Sequence, residues 1–207
     1  MRNAVDKEQI DLLKKFWRDY GKMLLIAVVI GLVIGSAWQY WQGRINNHRL
    51  AASEYYQQYL TAQTSKDIKQ SRALAKVLKS SYSDTPYAVS TALWQAKIAV
   101  NNKNYSGARD ALLWVIQHGH VPVEIALARL RLARVNMQVK QYDQALLGLK
   151  QVTLAAFAPI AEKLTGDIYR QQGDNQRAMA AYQKAKVGYQ KYHLSPAMLT
   201  MAMQSIS

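Results

Sequence analysis

Residues 160–185 read IAEKLTGDIYRQQGDNQRAMAAYQKA, and the spacing inside this stretch decides how the rest of the chain folds. Apolar and small residues recur at helical intervals on either side of Gly173-Asp174, which predicts two helices joined by a tight turn. Gly166 and Ala178 are small enough to let the two helices approach closely, while Tyr169 and Tyr182 fill the space between repeats. Gly173 supplies the permissive backbone that such a turn needs, and Asp174 lies in that turn before the second helix.

The same scheme recurs upstream. Thirty-three residues before Ala178 stands Ala145, within LRLARVNMQVKQYDQALLGL, where Ala133 and Ala145 are the small positions and Tyr142 enters the second helix. Thirty-seven residues earlier stands Ala108, with Ala96 and Tyr105 in matching roles and Leu112 as the packing residue. The longer step predicts a longer loop near His118 to Pro122. A degenerate further unit is expected to centre on Ala73. These spacings resemble tetratricopeptide repeats, so the expected fold is all-α: a right-handed stack of three to four helical hairpins. Ser195-Pro196 starts a closing helix over Pro196–Ser205, whose Met198, Met201 and Met203 are expected to cover the last hairpin, because the end of a repeat stack would otherwise be bare.

Upstream of the repeats, Met23 to Gly43 is a run of twenty-one residues without a charge, MLLIAVVIGLVIGSAWQYWQG. As a helix it covers about 30 Å, the thickness of a bilayer's hydrocarbon core. Trp38, Tyr40 and Trp41 lie at its downstream end, where amphipathic rings settle at headgroup level. A buried core helix would be shorter and carry a polar stripe. A cleaved signal peptide would have a shorter charged lead-in and small residues at its end. The segment is therefore read as a retained single-pass transmembrane helix. Ala27, Gly31 and Gly35 recur every fourth residue and form a smooth ridge, which either packs on a partner helix or reflects the general abundance of Gly and Ala in such segments.

Six Lys and Arg precede the run within the first 22 residues, and only Arg44 and Arg49 follow closely. By the positive-inside rule the N-terminus faces the cytoplasm and the C-terminal part the periplasm of a bacterium. Ile10, Leu13, Phe16 and Trp17 fall at helical spacing, so Met1 to Lys22 is expected to form a short amphipathic helix, either a lead-in to the anchor or a docking element. After the anchor, Leu50, Ala51, Tyr55, Tyr59 and Ala62 mark one face of a helix ending near Thr64. Asp67 can cap a second helix through Lys79, and Pro86 starts a third. The resulting division is 1–22 cytoplasmic tail, 23–43 transmembrane helix, 44–84 membrane-proximal helices with a degenerate first hairpin, 85–194 repeats, and 195–207 capping helix.

Net charge is +14, of which residues 1–41 hold six basic and four acidic side chains. The remainder is strongly basic, which suits a solvated surface or an attraction to nucleic acid, anionic lipid or acidic protein faces. Tyr182, Lys184, Lys186, Tyr189, Lys191 and Tyr192 interleave rings with cations, but the repeat spacing buries Tyr182, so nucleic acid is not an expected partner. The chain has no cysteine, which excludes disulfides and thiolate chemistry. His118-Gly119-His120 has no third ligand nearby and reads as a polar loop. No metal, cofactor, small-molecule substrate or catalytic residue is expected, since no nucleophile motif or acid–base pair appears. Repeat stacks present a concave groove lined by the first helix of each pair. Leu93, Lys97, Leu127, Leu130, Arg134, Met137, Lys163 and Arg170 are the candidate groove residues, with Leu93, Leu127 and Leu130 equally readable as core.

The layout as a whole resembles the YfgM family of bacterial inner-membrane proteins. The likeness is carried by GKMLLIAVVIGLVIGSAWQYW (21–41), LRLARVNMQVKQYDQAL (130–146) and GDIYRQQGDNQRAMAAYQKA (166–185). The resemblance implies an ancillary subunit of the SecYEG translocon that works with the periplasmic chaperone PpiD and meets emerging polypeptides or partner proteins. It implies no catalytic residue.

Overall fold

The computed structural model describes the backbone of residues 2–206 and the side chains of residues 14–206. Within these limits the chain is helical throughout: α1 Arg2–Thr64, α2 Ile68–Ser81, α3 Pro86–Asn101, α4 Tyr105–His118, α5 Pro122–Gln138, α6 Tyr142–Lys150, α7 Ala158–Gln171, α8 Asn175–Lys191 and α9 Ala197–Gln204. Two compact units are present, 1–51 and 52–207.

In the first unit the helix runs past Lys22 without a break, so the lead-in is not a separate helix. Ile10 and Leu13 lie outside the described side chains, while Phe16 and Trp17 are exposed. Every side chain from Met23 to Gln42 is exposed. A helix of this length and composition is apolar enough to cross a membrane, and its outward-facing Leu, Ile and Val are what a lipid-facing surface requires.

The second unit is built from four hairpins that share one turn. Each first helix ends on a residue with positive φ: Lys66 (58°), Lys103 (56°), Lys140 (57°) and Gly173 (81°). The next residue's N–H then reaches back to a carbonyl five residues earlier: Asp67 to Ala62 at 2.9 Å, Asn104 to Ala99 at 2.8 Å, Gln141 to Asn136 at 2.8 Å and Asp174 to Tyr169 at 2.9 Å. This is the Schellman closure, which satisfies the orphan carbonyls of the helix end. At three of the four turns the same residue then caps the following helix: Asp67 accepts from the Gln70 N–H, Asn104 from Gly107 and Asp174 from Arg177. Pro86, Pro122 and Pro159 occupy the first turns of α3, α5 and α7, where a missing N–H costs nothing.

Taking these turns as the register corrects three expectations. The degenerate first unit centres on buried Ser71 and not on Ala73, which is exposed. Its first helix is the end of α1, where Tyr59 and Ala62 pack with Leu74, Ala75 and Leu78 while Leu50 is exposed. The 37-residue step contains no long loop near His118: α4 and α5 are 14 and 17 residues long and the connection between them spans only 119–121. The longer connection is 151–157, after the nine-residue α6.

The core runs through the stack as successive clusters. Ala92, Ala96, Ala108, Leu112 and Val115 fill the second hairpin; Leu130, Ala133, Ala145, Leu149, Leu164 and Ile168 join the third to the fourth. Ala178, Tyr182 and Ala185 then meet α9 through Leu199, with Met203 and Ile206 beside it. Met198 and Met201 stay exposed, so a leucine, with only one of the three methionines, closes the last hairpin. Fully burying one such leucine is worth about 2 kcal/mol, enough to hold a short terminal helix in place.

Candidate functional groove

The first helices of hairpins two, three and four are α3, α5 and α7. α5 packs directly on α7, whereas α3 and α5 leave a cleft of about 610 Å³ between them. Leu112 and Tyr105 of α4 lie at its base, and Tyr56 from the end of α1 closes one side. Leu93, Trp94, Lys97 and Val100 come from α3, and Arg131, Arg134 and Gln138 from α5. The volume is that of a site that takes a few side chains.

The register explains why these residues meet. Trp94, Lys97 and Asn101 stand at i, i+3 and i+7 on α3. The 37-residue step maps them onto Arg131, Arg134 and Gln138 of α5. Two copies of one helix face therefore look into the same cleft. Trp94 is 39% exposed and Val100 40%. The Lys97 ammonium lies 4.9 Å from the Trp94 ring centroid, a cation–π contact that also leaves the charge at the rim. No Asp or Glu lines this cleft.

A second, smaller depression of about 290 Å³ adjoins it between α5 and α7, bringing together Arg134, Met137, Gln138, Lys163, Asp167 and Tyr189 among others. Its electrostatics differ. Asp167, 8% exposed, accepts from Lys163 Nζ at 2.8 Å and from the Tyr182 hydroxyl at 2.9 Å. The Lys163 charge is thus matched inside the protein. Burial, and next the Asp167 carboxylate, push the Tyr182 hydroxyl up to about 12. Burial and then Asp167 raise Tyr189 as well, against the opposing pull of Arg134.

Of the eight candidate groove residues, Leu93, Lys97 and Arg134 line the cleft, and Arg134, Met137 and Lys163 line the second depression. Leu130 and Met137 are buried in the core cluster at 2% and 9% exposure. Leu127 is half-buried and Arg170 exposed, and neither reaches either depression. Trp94 and Arg131 line the cleft as well, although neither is among those eight. The i, i+3, i+7 stripe repeated 37 residues on is the signal that finds them. Ala27, Gly31 and Gly35 share the exposed face of α1, and a Cβ added at either glycine would meet nothing within 4 Å. His118 stacks on Trp114 with ring centroids 4.4 Å apart, its Nδ1 lies 3.0 Å from the Trp114 carbonyl, and His120 is exposed.

A family model described as a tetratricopeptide repeat-like domain matches residues 14–207. A protein of Aggregatibacter actinomycetemcomitans named ancillary SecYEG translocon subunit is 33% identical over 189 residues, covering 90% of this chain and 91% of its own length. Relatives with the same name from Haemophilus influenzae and Escherichia coli are 29% and 27% identical, covering 90% and 98% of this chain and 91% and 95% of their own. No solved structure matches the chain. On the repeat register, the apolar segment of α1 and similarities that span at least 90% of the chain, the chain belongs to the YfgM family of ancillary SecYEG translocon subunits.

Proposed function

We propose that the protein is a single-pass component of the bacterial inner membrane, with its N-terminus in the cytoplasm and its repeat domain in the periplasm. There it serves the SecYEG translocon as a non-enzymatic, chaperone-like adaptor. The observation that carries this reading is the open, apolar cleft between α3 and α5 on a scaffold whose relatives bear the translocon name. A repeat stack holds such a cleft rigidly, so a bound segment forfeits only its own freedom. Emerging polypeptides and partner proteins such as the chaperone PpiD are the proposed occupants. The anchor confines the cleft to the membrane surface and so raises its effective concentration at the exit site.

On this reading the Ala27, Gly31 and Gly35 ridge packs against a helix of the partner complex. Purification of the full chain from native membranes in mild detergent tests both parts. SecYEG subunits are expected to co-purify with the wild type and to be lost from the Gly31→Leu, Gly35→Leu variant, whose larger side chains meet no internal obstacle. Absence of Sec subunits from the wild-type preparation would sink the translocon role. Their retention by the variant would reduce the segment to a tether.

A further inference from the structure

The cleft between α3 and α5 has a charge pattern that selects its occupant. Lys97, Arg131 and Arg134 ring an apolar floor, all three are exposed, and among the described residues none is ion-paired. By register, Lys97 and Arg134 occupy equivalent positions on successive hairpins, and the 33-residue step from Arg134 leads to Asp167 on α7. The series therefore runs cation, cation, anion. The anion already holds Lys163 at 2.8 Å. Of the two depressions, the first thus holds cations with no carboxylate on its lining, and the Lys163–Asp167 pair lines the adjoining one.

A neutral apolar segment seated on this floor would strip water from three cations and offer them nothing in return, an uncompensated cost. A basic segment would add repulsion. Carboxylates supplied by the occupant remove both penalties, and the planar guanidinium forks of Arg131 and Arg134 bind carboxylates in two-pronged fashion. Those two residues stand three apart on one helix face, so their heads are neighbours. The fitting partner presents Asp or Glu three or four residues apart beside an aliphatic or aromatic side chain. The apolar side chain would lie against Leu93, half-exposed Trp94 and Val100.

We infer that this cleft is a docking site for an acidic amphipathic polypeptide segment, with Trp94 as its apolar anchor and Lys97, Arg131 and Arg134 as its carboxylate partners. The inference rests on the proposed reading of the groove as a polypeptide-binding surface and adds the chemistry of what binds. Because paired charges sit at a solvent-facing rim, binding weakens steeply with salt.

The test uses the full chain in phosphatidylcholine nanodiscs, which present no anionic lipid. Three fluorescently labelled peptides are titrated by anisotropy: an amphipathic peptide whose polar face is Glu, its counterpart with Lys in place of Glu, and a Glu-rich peptide without apolar residues. The acidic amphipathic peptide should bind about tenfold or more tightly than either control, the equivalent of one charge-assisted hydrogen bond gained. That preference should vanish in Arg131→Glu, Arg134→Glu and fall in Trp94→Ala. It should survive Lys69→Glu, an exposed change on α2 that also shifts net charge. Circular dichroism verifies folding of each variant. Equal binding of the Glu and Lys amphipathic peptides, both lost in Trp94→Ala, would overturn the charge inference and leave the groove reading standing. Failure of every peptide to bind would overturn both. Binding only to vesicles containing phosphatidylglycerol, lost in the double arginine variant, would overturn the inference in favour of a lipid headgroup.

Discussion

The first and last hairpins of the stack close with the same turn and are packed in opposite ways. Lys66 and Gly173 both adopt positive φ, and Asp67 and Asp174 both cap the helix that follows. Seven residues before the turn, however, the last hairpin has Gly166 and the first has Tyr59. Nine residues after it, the last hairpin has Tyr182 and the first has Ala75. Tyr59 and Tyr182 are fully buried; Tyr182 lies directly against Gly166, and Tyr59 shares a core cluster with Ala75. The middle hairpins use Ala96 with Leu112 and Ala133 with Leu149, a small residue on the first helix and a leucine on the second. Each crossing is filled by one large and one small residue fitted to its own spacing, because interiors are packed to near-crystalline density. It does not demand that the large residue come from one particular helix.

Gly166→Ala should disturb the last hairpin most. A Cβ there would lie 2.4 Å from Tyr182 Cε1, against a ring whose hydroxyl is tied to Asp167. The expected loss is about 1–3 kcal/mol by chemical denaturation of the full chain in detergent. In a Tyr182→Leu background, which itself loses the hydroxyl donated to Asp167, the same Gly166→Ala change should cost far less, because the pair then copies the middle hairpins. An equal cost in both backgrounds would show that volume is not what the crossing reads.

A smaller effect sharpens the contrast between the two buried tyrosines. Tyr182→Phe removes the hydroxyl donor from the buried Asp167 carboxylate and should cost about 1–2 kcal/mol. It also changes the alkaline limit. Burial raises both Tyr59 and Tyr182 from 10.0 to about 12. For an acid whose folded value is raised, the unfolded chain ionises first. The stability contribution is thus complete below pH 10 and is lost as pH rises from 10 to 12. Wild-type stability should fall across that window, and Tyr182→Phe should fall less steeply. An unchanged slope would contradict the assignment of Tyr182 as a buried, neutral donor.

The same comparison shows what could be read from residues alone. The last hairpin was legible because its large and small residues follow the common tetratricopeptide order and its turn carries Gly. The first was misplaced by two residues because Tyr59 and Ala75 reverse that order and because Lys66 disguises the turn. Lysine at positive φ carries no local signature, although Lys66, Lys103 and Lys140 at 37-residue intervals become one once the turn is known. The segment from Met23 to Gly43 was readable from length and lack of charge. Lys97 and Arg134 are marked in the sequence by their place on first helices, and both line the cleft. Trp94 and Arg131 were missed because a half-exposed aromatic or cation on a helix announces nothing until a second copy of the face is superposed on it. Leu130 and Leu93 share one register position, yet Leu130 is buried where α5 meets α7 and Leu93 opens into the cleft. The cleft left open between α3 and α5 is what distinguishes them.

The claim on which the account turns is that this cleft, and not the outer face of the stack, meets the protein's partners at the membrane. Site-specific photocrosslinking in cells during active secretion tests it directly, with the probe placed at Trp94 in the cleft or at exposed Leu113 on α4. Products with Sec subunits, PpiD or translocating chains are expected from position 94 and none from position 113. Products from position 113 with none from position 94 would contradict that claim.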